Sequence, residues 1–197
     1  MPRPPQLDRE MVLAAAVELA ERRGVDAISL RAVADRLEVT PMALYRHVGD
    51  KQALLDGMIE RLLLELPLPD PAAPWRDQLG VMATGLRATA GRHPGLFPLL
   101  LQRPAATTGA LRVREAVYDA LRASGVPEAM VPRTERILST FLLGFAASEA
   151  GGRFSVDTVE LDADLAWFET HVLGPVITGA ATGATTPAAP PDHPPRS

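Results

Sequence analysis

Arg31, Tyr45, Arg46, His47 and Lys51 fall within twenty-one residues of one another, with Thr40, Pro41, Met42 and Ala43 among them. A guanidinium, a phenol, an imidazole and an ammonium can each donate a hydrogen bond to a phosphate oxygen, and Arg31 can equally serve a guanine edge. Thr40, Pro41, Met42 and Ala43 are small or flexible enough to let a helix backbone approach base edges and thymine methyls. The chemistry that suits this set is recognition of a polyanion. Bond-making constellations are missing from the sequence. His47, His93, His171 and His193 fall in separate elements, and there is no His-Glu-x-x-His pattern, Gly-rich phosphate loop or Gly-x-Ser-x-Gly turn. Asp162 and Asp164 stand two apart on a predicted helix and so face different ways. With no cysteine, a thiol nucleophile, a thiolate zinc site and a disulfide scaffold are all excluded. No catalytic residue, metal site or cofactor is expected.

The recognition residues need helices to hold them. Alanine and leucine dominate, aromatics are 5%, and β-branched runs are scarce, so the chain reads as all-α. Asp8 is placed to cap a first helix with Val12, Ala15, Ala16 and Leu19 on its inner face, ended by Gly24. Ser29 caps a second, with Val33, Ala34 and Leu37 inward. After a tight turn at Leu37-Glu38-Val39, Thr40 and Pro41 open a third, which runs to about His47. Three short helices joined this way match a helix-turn-helix unit, whose last helix lies in the DNA major groove. Asp50 caps a longer fourth helix carrying a leucine-rich stripe, and the proline-rich segment from Pro67 to Pro74 marks a junction near residue 70. Further helices are predicted at about 75–91, 95–101, 106–124, 130–150 and 160–177.

The string from Ile28 to Val48, followed by Gly49-Asp50-Lys51-Gln52-Ala53-Leu54-Leu55, resembles the TetR family of bacterial transcriptional repressors. The spacing of Arg31, Leu44, Tyr45, His47 and Lys51 carries the resemblance, which is strong over about residues 8 to 66. Two positions depart from the usual pattern. Glu38 replaces the customary turn glycine, at a cost of about 1 kcal/mol if its backbone is left-handed, and Val48 stands where many members have phenylalanine. The resemblance implies a DNA-binding domain over residues 1–50, a connector over 51–70 and an effector-binding and dimerisation domain over 71–179. Residues 180–197, with five prolines and little to bury, are expected to be a disordered tail. The DNA-contacting set would be Arg31, Thr40, Pro41, Met42, Ala43, Tyr45, Arg46, His47 and Lys51. The pocket would draw on Met82, Leu86, Phe97, Leu100, Tyr118, Phe141 and Phe145, with His93, Arg122 and Glu149 as polar anchors.

The family pattern also implies a homodimer whose last two helices pair with their symmetry mates. Ile137, Leu138, Phe141, Leu142 and Phe145 independently make the 130–150 helix apolar on more than one face, beside the small residues Thr140, Gly144 and Ser148. A twofold dimer would present two reading helices to half-sites roughly 34 to 36 Å apart, or a multiple of that, hence to a palindrome. The expected partners are double-stranded operator DNA, a second copy of the chain and a small-molecule effector whose binding releases DNA. The competing expectations are a helical dimerising adaptor and a constitutive DNA-binding protein without effector.

Composition sets the remaining bounds. The 197 residues are 47% hydrophobic and 22% charged, enough for a real core. A net charge of −4 excludes a protein that coats nucleic acid by bulk positive charge. Residues 1–51 balance eight basic against eight acidic side chains, so the local placement of cations decides what that segment can bind. No apolar stretch is long enough for a bilayer, and the first ten residues hold no hydrophobic signal core, so a soluble cytoplasmic chain with no membrane partner is expected.

Overall fold

The computed structural model describes residues 7–104, 106–155 and 157–177, and they are helical and without strands. The helices are α1 (Arg9–Arg23), α2 (Leu30–Leu37), α3 (Pro41–Val48), α4 (Lys51–Leu64), α5 (Trp75–Arg92), α6 (Leu99–Gln102), α7 (Thr108–Ala123), α8 (Val131–Ala150), α9 (Thr158–Phe168) and α10 (Gly174–Ile177). Short 3-10 turns at Val25–Ala27 and Glu128–Met130 and a π-turn at Glu169–Leu173 join some of them. The expected tail over 180–197 lies outside the described residues.

Capping explains where the helices start. Asp8, Ser29, Asp50, Thr107 and Asp157 each accept from the backbone N–H three residues on, at 2.8 to 3.2 Å. Thr40 occupies the cap position of α3, but its hydroxyl makes no capping bond; Pro41 at the first helical position presets the turn instead. Two segments depart from their predicted form. The 95–101 stretch is mostly turns with a single helical turn at Leu99–Gln102, because Pro98 withdraws a donor just before it. The predicted 160–177 helix is interrupted by the π-turn.

The turn between α2 and α3 keeps its sharp geometry without glycine. Glu38 adopts φ 56° and ψ 38°, and its N–H closes α2 on the carbonyls of Ala34 and Asp35.

Two apolar cores organise the chain. The larger is built on Val12, Ala16, Val33, Leu44, Leu54, Met58 and Leu62 from α1 to α4, and continues past the proline-rich junction into Leu86, Leu96, Phe97 and Ala146. The smaller joins Leu79 and Met82 of α5 to Ala120 and Leu121 of α7, Leu138 of α8 and Ile177. Since α4 contributes to the larger core from its own side of the junction, it ties the first three helices to the rest.

Candidate nucleic-acid interface and cavity

Leu44 and Val48 anchor α3 by burying one face of it on α1 and α2. Helical periodicity then turns Met42, Tyr45 and Arg46 outward, leaving Met42 68% and Tyr45 50% exposed. Thr40 and Pro41 are exposed at the start of α3, while Ala43 and His47 are half-buried on its flank. Arg31 stands exposed in the first turn of α2 and Lys51 in the first turn of α4. All nine expected contact residues thus lie on α3 or at the leading ends of its two neighbours.

Some other cations of the chain are held by carboxylates, whereas Arg22 and Arg23 at the end of α1 are, like the expected contact residues, without an ion pair among the described residues. Arg9 pairs with Glu60, Arg36 with Glu18 at 2.6 Å and Arg61 with Glu10 at 2.7 Å. Among the described residues, Arg31, Arg46, His47 and Lys51 have no ion pair and no side-chain hydrogen bond, and Tyr45 and Thr40 have no side-chain hydrogen bond. An unpaired donor set keeps its hydrogens for a partner. The N-terminus of α4 adds its partial positive charge beside Lys51.

Behind this unit, α4 to α8 surround a cavity of about 220 Å³. Of the expected pocket residues, Met82, Leu86 and Leu100 line it. Leu63, Leu79, Arg103, Val113, Arg114, Glu135, Leu138, Ser139 and Leu142, which the sequence reading did not assign to the pocket, line it too. The available signal was the spacing of Leu79, Met82, Ala83 and Leu86, one face of a single helix. A second cavity of about 280 Å³ lies among α5, α8 and α9 and shares Leu79, Ala83, Leu138 and Leu142 with the first.

The other expected pocket residues lie outside that cavity and have partners of their own. Phe97 is 1% exposed in the larger core. Phe141 stacks on Phe168 with ring centroids 3.8 Å apart, and Phe145 sits 5.3 Å from Phe154. Tyr118 packs against the smaller core, with the Arg122 guanidinium 5.6 Å from its ring. Arg122 is paired with Glu115, Asp119 and Glu128. Both oxygens of Glu149 accept from Arg87 at 2.7 Å, and Arg87 also reaches Asp162 at 2.6 Å. The hydrogen bonds to Glu149, then those to Asp162, hold the Arg87 guanidinium above its ordinary pKa against the effect of burial. His93 sits at the seam, with Nδ1 3.4 Å from Glu21 Oε1 on α1 and Nε2 3.1 Å from Glu65 Oε2 just after α4.

No group of three or more metal-ligating side chains occurs among the described residues, and no helix there is long and apolar enough to cross a membrane.

The sequence profile described as bacterial regulatory proteins, tetR family, matches residues 12–58, and that of the tetracyclin repressor-like C-terminal domain matches residues 68–178. An HTH-type transcriptional regulator of Saccharopolyspora erythraea is 35% identical over 147 residues, which is 74% of this chain. The match spans 62% of that relative's own length. A crystal structure of BioQ with its natural double-stranded DNA operator superposes with a TM-score of 0.72 at 27% identity, covering 88% of this chain and 99% of that one. A TetR variant from Acinetobacter baumannii AYE in complex with minocycline superposes with a TM-score of 0.71 at 27% identity, covering 90% and 98%. With both sequence profiles satisfied in order along the chain, the protein belongs to the tetR family of bacterial regulatory proteins.

Proposed function

We propose that this chain is a DNA-binding transcriptional regulator, a homodimeric repressor that holds a palindromic operator and is released by a small-molecule effector. The observation that carries the reading is the exposed donor set of Arg31, Tyr45, Arg46 and Lys51, without ion pairs or side-chain hydrogen bonds among the described residues, gathered on α3 and the leading ends of α2 and α4. BioQ, a structural relative at 27% identity, is known with its DNA operator.

In this reading residues 1–50 bind DNA, 51–70 connect, and 71–179 bind effector and dimerise. Tyr45, Arg46, His47 and Lys51 hold phosphates and fix register; Arg31, Thr40, Pro41, Met42 and Ala43 meet base edges. Ile137 on α8 is 65% exposed and Trp167 on α9 is 58% exposed, which favours a partner surface over solvent at that end of the chain. The effector site is the cavity within α4 to α8, with Met82, Leu86 and Leu100 in its wall; the minocycline complex of the Acinetobacter relative supports a ligand in a chain of this fold. The protein works in the cytoplasm, without cofactor and without catalysis.

Selection of duplexes from a random pool by the purified chain tests the reading. A single enriched palindrome is the expected outcome, and an unenriched pool contradicts it. Substituting Thr40 or Met42 should alter the enriched sequence.

A further inference from the structure

Leu79 and Ala83 of α5 and Leu138 and Leu142 of α8 line both cavities, so only side chains divide one from the other. Each of them faces space on two sides where an ordinary core residue has neighbours. The partition therefore moves at little cost: Leu142, which is only partly buried, gives up few contacts by changing rotamer. Alone, the cavities of about 220 and 280 Å³ fall below the roughly 300 to 1,000 Å³ of drug-sized sites; joined, they reach roughly 500 Å³.

The two ends differ in chemistry. The first cavity is walled by aliphatic side chains such as Leu63, Leu86, Leu100 and Val113, and no aromatic ring lines it among the described residues. The second is bordered by Trp75 and Phe168 and by two uncharged polar groups, the Trp75 indole N–H and the Thr84 hydroxyl. Neither group has a hydrogen-bond partner among the described residues. Both can donate to an oxygen.

Charge is already balanced in both linings. Arg103 is held by Asp56 at 2.7 Å, Arg87 by Glu149 at 2.7 Å and Asp162 at 2.6 Å, and Arg76 by Glu169 at 3.4 Å. Arg114 and Glu135 add one charge of each sign. An ionic ligand would thus enter without a counter-ion, which is costly away from water. The pairs made by Arg76 and Arg87 also seat α9 and the turn after it along α5, over the second cavity.

We infer that the two cavities are lobes of one site for an uncharged, elongated molecule, with its aliphatic chain in the first lobe and a hydrogen-bond-accepting oxygen beside Trp75 and Thr84 in the second. The inference rests on the effector-cavity reading above, extends that site past Leu142 and names its ligand class.

Calorimetric titration of the full chain with methyl ketones of seven, nine and eleven carbons, beside carboxylates and alkylammonium ions of equal length, tests this. One ketone should bind per chain, its affinity rising about fourfold per methylene through the whole series, with both ionic series at least about tenfold weaker. Val113→Phe narrows the first lobe alone, and Ala166→Trp, from an exposed position on α9, narrows the second alone. Each should weaken the eleven-carbon ketone by more than about tenfold. The seven-carbon ketone needs only one lobe and should still bind both variants, which also reports that their folds are intact. Two long ketones per chain, loss of the long ketone in only one of the two variants, ionic ligands that bind as tightly, or no binding by any ketone would overturn the proposal. If the ketones bind across both lobes but leave DNA affinity unchanged, the site stands and the effector reading falls. If no ketone binds, yet another small molecule releases DNA from the wild type and not from Val113→Phe, the proposal falls and the effector reading stands.

Discussion

The carboxylate of Glu21, on the last turns of α1, accepts the backbone N–H of Gly95 at 2.9 Å, with the adjoining N–H of Leu96 at 3.2 Å. This one side chain joins the first helices to the corner between α5 and α6. A Cβ at Gly95 would lie 2.6 Å from the Ala20 carbonyl oxygen and 2.7 Å from Glu21 Cα, so the corner seats directly on the α1 backbone. Both contacts are with main chain, which cannot swing aside as a side chain would.

Removing either half of that seat should loosen the protein. Glu21→Ala strands two part-buried donors and should cost about 1–3 kcal/mol, and Gly95→Ala forces a backbone shift that should cost about the same. Urea unfolding monitored by circular dichroism reads both; a Gly95→Ala midpoint equal to wild type would contradict the close approach.

Glu38 offers the opposite sign. Its left-handed backbone at φ 56° carries a side chain where glycine would be unstrained. Glu38→Gly should therefore raise stability by up to about 0.5 kcal/mol after allowing for the extra freedom glycine gains when unfolded. Glu38→Val should lower it by more than that, since a β-branched residue resists this conformation. The same urea experiment decides, and a destabilised Glu38→Gly would contradict the account of the turn.

Glu65 gives the seam a pH dependence. Burial raises its pKa, but hydrogen bonds from Arg92 and His93 and the positive charge they bring outweigh that and hold it below its ordinary value of 4.5. A depressed carboxylate stabilises the fold above the unfolded-state pKa, and the contribution is lost as pH falls through the folded-state value. Wild type should thus exceed Glu65→Gln in unfolding free energy above about pH 4.5, with the two curves converging on acidification. Parallel curves down to low pH would remove the Arg92–Glu65–His93 contacts from the ledger of stabilising interactions.

Lys51 tests the electrostatic half of DNA binding. Exposed, unpaired and at the start of α4, it should hold one phosphate, so Lys51→Ala should weaken binding to every duplex and reduce the slope of log K against log salt by about 0.9. An unchanged slope would take Lys51 out of the interface.

The reading unit was legible in the sequence because its signals are local. Asp8, Ser29 and Asp50 cap helices within three residues of themselves, Pro41 presets a turn, and the exposed face of α3 follows from burying Leu44 and Val48. The left-handed backbone at Glu38 was suggested only by the glycine that the resembled family customarily has there. The cavity was less legible. Aromatic residues drew attention as pocket lining, yet Phe97 fills a core and Phe141 stacks on Phe168, while much of the lining is leucine. Arg103 matters through Asp56 and Gln52, forty-seven and fifty-one residues earlier. Pairings across that distance depend on how helices dock, and periodicity along one helix does not encode them.

The central claim is tested most directly by fluorescence-anisotropy titration of a labelled palindromic duplex obtained by selection, with nonspecific competitor and at two salt concentrations. Tight, competitor-resistant binding at two protomers per duplex, lost when either half-site is scrambled, is the predicted result. Equal, strongly salt-dependent affinity for the palindrome and its scrambled form would contradict sequence-specific reading by α3.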